Sequence, residues 1–351
     1  MHNRHDPRVL PMRDGVNPSC VVLPSIVHGL LLDFLVQRLP AVSRADWLRR
    51  LGAGEVVDEQ GVAATAQSPC TPGLRYYYYR ELPSETPIPF EETVLYQDEH
   101  ILVADKPHFL PVVPAGRYLQ QTLLVRLKRR LGLPELSPVH RIDRDTAGLV
   151  LFSVQRATRG MYQALFRERA VRKVYEAVAP WRADLPLPRV HESRLEELGH
   201  FFRMQEVPGT PNAITAMAVV EQEGPWARYR LEPITGKRHQ LRVHMAALGL
   251  PLCGDGFYPE VNDPPEGDYS NPLQLLARTL SFTDPVTGQA RDFASRLQLR
   301  ARASLGWAGL GEGGRADKGR KVLWSGRWEH HRVPNSLIDK EFSALGEPRW
   351  T

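Results

Sequence analysis

The segment His140-Arg141-Ile142-Asp143-Arg144-Asp145 sets five ionisable side chains just ahead of the apolar run Leu149-Val150-Leu151-Phe152. Charge at the mouth of a buried strand is costly unless it is paired, so a cluster there marks groups held for use. A carboxylate kept ionised among cations can serve as a nucleophile or as a base. Taken alone, the same residues also read as a surface turn in which Arg141 neutralises Asp143.

Two further segments carry reactive groups. In Arg172-Lys173-Val174-Tyr175-Glu176-Ala177, strand alternation puts Lys173, Tyr175 and Ala177 on one face, so Tyr175 is either aimed into a cleft or a core tyrosine with a bonded hydroxyl. The run Thr235-Gly236-Lys237-Arg238-His239-Gln240-Leu241-Arg242-Val243-His244 is followed by Gly249-Leu250-Pro251-Leu252-Cys253-Gly254-Asp255-Gly256-Phe257-Tyr258. In order, the three segments resemble the signatures of the RluA-type pseudouridine synthases: HRLDxxTSGLL, the KxYxA strand, and TGRxHQLRxH with GxPixGDxxY. Ala147 replaces the usual serine, and Lys237-Arg238 replaces an arginine and a small polar residue. Lys237 keeps the charge but loses bidentate phosphate geometry. With Leu275 to Phe282 and Pro285 to Gly288, which resemble the closing strands, the likeness covers about 90–298.

The resemblance implies an α+β pseudouridine synthase fold: a mixed, largely antiparallel sheet with flanking helices and a central cleft. It implies that Asp143 promotes glycosidic cleavage of a uridine, by attacking the nucleotide or by removing a sugar proton. Arg242 would pair with Asp143, and Tyr175 would stack on the detached uracil and assist removal of its carbon-5 proton. The target nucleotide must leave its stack, and Arg141 is the long cation placed to fill the gap. His140, Lys173, Lys237 and Arg238 are the further RNA-binding candidates, although for His140 capping the strand is the preferred reading over phosphate binding. The isomerisation needs no oxidant, energy donor or metal, so no cofactor and no metal are expected.

Composition is compatible with this reading. The chain has 351 residues, 42% hydrophobic and 24% charged, with a net charge of +5, a mild excess that permits RNA binding without demonstrating it. Basic groups cluster at Arg126, Lys128, Arg129 and Arg130 and again at Arg167, Arg169, Arg172 and Lys173, where they would track phosphates or form solvated helix faces. Cys20, Cys70 and Cys253 lack the spacing of a disulfide framework or zinc site, which fits a reducing cytoplasm. No stretch suits a membrane span or signal peptide. Walker, dinucleotide, HExxH and GxSxG signatures are absent, which argues against nucleotide-driven enzymes, zinc proteases and serine hydrolases. The alternative is a non-catalytic RNA-binding or RNA-chaperone protein on the same fold, which the presence of both Asp143 and Arg242 disfavours.

Several elements must position these groups. Residues 1–22 read as a flexible leader. Residues 23–82 read as a small RNA-binding module of two helices and a hairpin, resembling one found in a ribosomal small-subunit protein, or as a packing extension of the main domain. The helices come from Leu31, Phe34, Leu35 and Leu39 before Pro40, and from the capping pattern of Ser43 with Asp46. Four successive tyrosines, Tyr76 to Tyr79, could stack bases, although alternation turns half of them inward. A Pro-rich linker at 83–89 precedes the catalytic domain at 90–298. A C-terminal tail at 299–351 completes what is expected to be a monomer acting on RNA, ribosomal first and transfer second.

Overall fold

The structure is a computed structural model that describes residues 10–299 apart from 83, 186, 188, 189, 200–202 and 263. The expected tail, and the leader up to residue 9, therefore lie outside the described residues. The rest of the leader is built in. Ser19–Val22 is a strand, β1, and Val16 is buried against Leu119 and Val125. Strand β1 pairs antiparallel with the strand Arg75–Tyr78.

Helix α1 (Leu31–Arg38) and helix α2 (Arg44–Gly52) follow. The Ser43 hydroxyl accepts from the Asp46 amide at 3.1 Å and donates to the Asp46 carboxylate at 2.6 Å, fixing the start of α2. Strands β2 (Val56–Asp58) and β3 (Arg75–Tyr78) complete a small antiparallel sheet of order β1-β3-β2. Its own core gathers Leu31, Leu35, Trp47, Leu51, Tyr76 and Tyr78. The tyrosine run is thus spent on packing: Tyr76, Tyr77 and Tyr78 are all buried and unavailable for base stacking. The bridge after it is tied down, because the Glu85 carboxylate accepts from the amides of Leu119, Gln120 and Gln121 at 2.7–2.8 Å.

The main sheet starts with β4 (Thr93–Gln97) and β5 (Ile101–Lys106), followed by α3 (Leu123–Leu131), β6 (Ser137–Pro138), β7 (Ala147–Ser153) and α4 (Arg159–Arg167). Then come β8 (Arg172–Pro180), β9 (Val190–Leu198), β10 (Arg203–Val207), β11 (Ala213–Glu223), β12 (Trp226–Pro233), α5 (Gln240–Ala247), β13 (Leu275–Thr283) and β14 (Ala290–Ala294). These strands form an 11-stranded sheet along β10-β9-β11-β12-β8-β13-β7-β5-β4, with β14 on β13 and β6 on β7. Only β7 and β13 pair in parallel; every other pairing is antiparallel.

The apolar run that follows the charged segment is explained by burial on both faces. Leu149 and Leu151 join Ile101 and Val103 on the α4 side, while Val150 and Phe152 join Leu102 and Ala104 on the α3 side. Gly148 makes the parallel pairing possible. Its φ is +111°, and a Cβ there would lie 2.3 Å from the Ala277 carbonyl oxygen. Among the described residues no helix is long and apolar enough to cross a membrane.

Helix α3 corrects one expectation. Its basic cluster is engaged in holding the domain together: Arg126 donates to the carbonyls of Phe90 and Ile88, Arg130 pairs with Glu92 at 2.9 Å, and Lys128 is buried. Arg126 and Arg130 thus cover carbonyls and a carboxylate of the irregular chain at 84–92, Lys128 turns inward to Met12, and Arg129 alone stays exposed without a partner in that segment, bonding Gln120, so the cluster is not a continuous phosphate track.

Candidate active site

Three elements near the middle of the sheet converge on one cleft. Strand β7 fixes the loop that bears Asp143, β8 carries Tyr175, and α5 carries Arg242. The loop is clamped from below. The Lys106 ammonium, fully buried at the end of β5, donates to the carbonyls of Pro107 and Arg144, each at 2.9 Å. Burial pulls its pKa down to about 7, against the pull of Asp145 and Asp143.

The start of α5 is pinned by Gln240. Its side-chain oxygen accepts from the Lys237 amide at 3.0 Å and the Thr235 hydroxyl at 2.7 Å, and its amide donates to the Ile214 carbonyl and Thr215 hydroxyl, both at 2.9 Å. A buried amide with every group satisfied holds its helix rigidly. Arg242, two residues on, is therefore delivered in a fixed pose.

Arg242 bridges two carboxylates. Its Nε and Nη2 donate to the two oxygens of Asp255 at 2.8 and 2.6 Å, and Nη1 donates to Asp143 at 3.1 Å. Burial would lower its pKa, but the hydrogen bonds and charge of Asp255, with Asp143 behind, raise it above the usual arginine value. Asp255 is wholly buried, whereas the Asp143 side chain is 27% exposed, so one carboxylate orients the cation and the other faces the cleft. Gly254 makes the turn into Asp255, with φ +72° and a would-be Cβ 2.3 Å from the Pro272 carbonyl oxygen.

His239 is a second neighbour of the carboxylate, its Nε2 3.9 Å from Asp143 Oδ1. The Tyr258 hydroxyl oxygen accepts from the Met204 amide at 2.8 Å, which leaves its proton for His239 Nδ1 at 3.0 Å. That arrangement assigns the ring proton to Nε2, facing Asp143. Burial lowers the His239 pKa, opposed by Asp143. Neither His239 nor Asp255 was given a role on sequence, although both stand inside the quoted motifs.

The other candidates divide. Tyr175 lines the cleft beside Lys173, and burial, then Asp143, pushes its phenol well above the usual tyrosine value, so it stays protonated. Burial, then Arg169, lowers the Lys173 pKa. Arg141 is exposed on the cleft wall, and Lys237 and Arg238 are exposed at its rim, Arg238 pairing with Glu197 at 3.1 Å. His140 is different. Its Nε2 accepts from the Leu151 amide at 3.0 Å and its ring stacks on Phe166 with centroids 4.5 Å apart. Burial, then Lys173, drives its pKa down to about 3, so it braces β7 as a neutral ring instead of binding phosphate as a cation.

The cleft encloses about 900 Å³. Arg141, Arg144, Arg167, Arg169, Lys173, Lys237, Arg238 and Arg242 line it, and Asp143 is the one carboxylate among the described lining residues. Such a surface attracts a polyanion and presents it to a single oriented carboxylate.

Known proteins similar to this chain belong to one family. A family model described as RNA pseudouridylate synthase matches residues 100–247. An uncharacterized RNA pseudouridine synthase of Synechocystis sp. is 30% identical over 233 residues, covering 65% of this chain and 79% of that protein. The dual-specificity RNA pseudouridine synthase RluA of Haemophilus influenzae is 33% identical over 214 residues, covering 58% of this chain and 92% of that protein. The chain belongs to the RluA-type pseudouridine synthase family. It is accordingly an RNA pseudouridine synthase, an isomerase. Among solved structures, human RNA pseudouridylate synthase domain containing 1 is similar over 60% of this chain and 86% of that one, at 23% identity and a TM-score of 0.48. For this synthase the sequence relatives carry the assignment.

Proposed function

We propose that this synthase isomerises specific uridines of structured ribosomal or transfer RNA with Asp143 as the catalytic residue, working as a monomer in the cytoplasm. The observation that carries the reading is the position of Asp143: a partly exposed carboxylate, held by Arg242 at 3.1 Å, in a cleft whose other charged lining residues are cations. Cations track the phosphates while the carboxylate meets one nucleotide. Asp143 then either attacks the sugar or removes a sugar proton, and both routes need it ionised and oriented. The protonated Tyr175 packs against the freed uracil, and Arg141 occupies the space the nucleotide leaves. The RluA relatives are named as dual-specificity RNA enzymes, which supports RNA as substrate here. Three free cysteines fit a reducing compartment.

The test is incubation of bulk cellular RNA lacking pseudouridine with wild type and Asp143→Ala, followed by mass mapping of ribosomal and transfer RNA. New pseudouridine at discrete sites with wild type alone is expected. Modification that persists in Asp143→Ala would sink the assignment of the catalytic residue.

A further inference from the structure

On the side of α5 away from Arg242 lies a second group of ionisable residues that the isomerisation does not use. Residues two apart on a helix diverge by roughly 200°, so His244 turns from the cleft toward the β9–β10 hairpin. There it meets His191 of β9 and Glu206 of β10. His191 Nε2 is 2.7 Å from Glu206 Oε1, His244 Nε2 is 4.0 Å from the same oxygen, and one ligand atom from each residue lies within 4.8 Å of the others. The two imidazoles meet edge to face at 81°, so they approach from different directions.

We propose that His191, Glu206 and His244 bind a divalent transition-metal ion of the zinc class, with a fourth position open to water. Two imidazoles and a carboxylate are a donor set this ion accepts. With metal–ligand bonds of about 2.0–2.1 Å, the edges of a tetrahedron are about 3.3 Å. The present 2.7 and 4.0 Å separations bracket that length, so small side-chain shifts suffice. An outer shell is in place as well: Thr215 Oγ1 lies 3.0 Å from His244 Nδ1, able to accept its proton, and the Nε2 lone pair, now met by the Ser193 hydroxyl at 3.1 Å, is the one the ion would take in its place. Thr215 is itself fixed by Gln240 at 2.9 Å. His244 is wholly buried, whereas His191 and Glu206 are partly exposed, at 18% and 26%, which gives the ion a route in. The bound ion would cross-brace the hairpin to the helix that carries Arg242. Nothing in the local sequence signals the site, because its ligands are brought together only by the fold.

The experiment titrates the full chain, stripped of metal by chelator and dialysis, with Zn(II) and separately with Co(II). The expected result is saturable uptake of one ion per chain, a rise in melting temperature, and Co(II) visible bands without the thiolate charge-transfer band that Cys20, Cys70 or Cys253 would produce. His191→Gln and Glu206→Gln should each weaken uptake by about 100-fold, and Thr215→Val by about 10-fold as an outer-shell change. The exposed His28→Gln should leave it unaltered. Far-UV circular dichroism confirms that each variant is folded, and the two partly exposed positions guard against failure at one. Absence of saturable uptake up to about 0.1 mM ion, a thiolate band, or uptake undiminished in both His191→Gln and Glu206→Gln overturns the proposal.

Discussion

At the scale of single residues, the site depends on one guanidinium meeting two demands. Arg242 uses a planar fork for Asp255 and a third nitrogen for Asp143, which a lysine ammonium cannot reproduce. Arg242→Lys is expected to lower single-turnover pseudouridine formation by about 100-fold while RNA affinity falls little, since misplacement of the reacting group dominates. Rapid-quench kinetics beside filter binding would separate the two quantities. Asp255→Ala strands the buried cation and should cost about 3–5 kcal/mol of stability by urea unfolding. His140 adds a pH dependence. Its folded pKa of about 3 lies below the ordinary 6.5, so between these values the unfolded chain takes up a proton the folded one refuses. The contribution is complete above about pH 6.5 and is lost as pH falls toward 3. Urea midpoints measured near neutrality and at about pH 4.5 should diverge less in His140→Gln than in wild type.

Among the elements, β7 is the most tightly specified. Gly148→Ala forces a methyl into the Ala277 carbonyl at a positive φ, so the variant is expected to lose several kcal/mol or to be recovered insoluble, as thermal unfolding and soluble yield would reveal. The strand was legible in the sequence because burial on both faces demands an unbroken apolar run, and β8 was legible from alternation. Asp143, Tyr175 and Arg242 could be singled out because each sits in a motif with fixed spacing. Their partners could not be assigned so readily. Asp255 lies 13 residues beyond Arg242, and only the turn through Gly254 swings it beneath the guanidinium. His239 acquires its role from Tyr258 and Met204, which no local pattern links. The cluster at 126–130 looked like a phosphate track because charge on a helix carries no record of which carbonyls lie opposite. Burial of Tyr76 to Tyr78 was hidden for a similar reason: β1 and the helices cover faces that alternation alone would leave open.

For the whole molecule, the distribution of cations makes a quantitative statement about RNA binding. Arg167 and Lys237 line the cleft, while Arg129 lies on α3 outside it. Arg167→Gln and Lys237→Gln should each reduce the slope of log affinity against log salt by about 1, and Arg129→Gln should leave it unaltered. Filter binding across a salt series would decide this. The strand order carries a further consequence, one of timing. Strand β13 lies between β7 and β8, so the spacing from Asp143 to Tyr175 is set by a segment made roughly a hundred residues after either. A nascent chain holding both residues but not yet 275–283 has β7 and β8 unjoined. The enzyme therefore becomes competent late in its own translation, after almost the whole domain has left the ribosome, and a chain ending before Leu275 should bind RNA without modifying it.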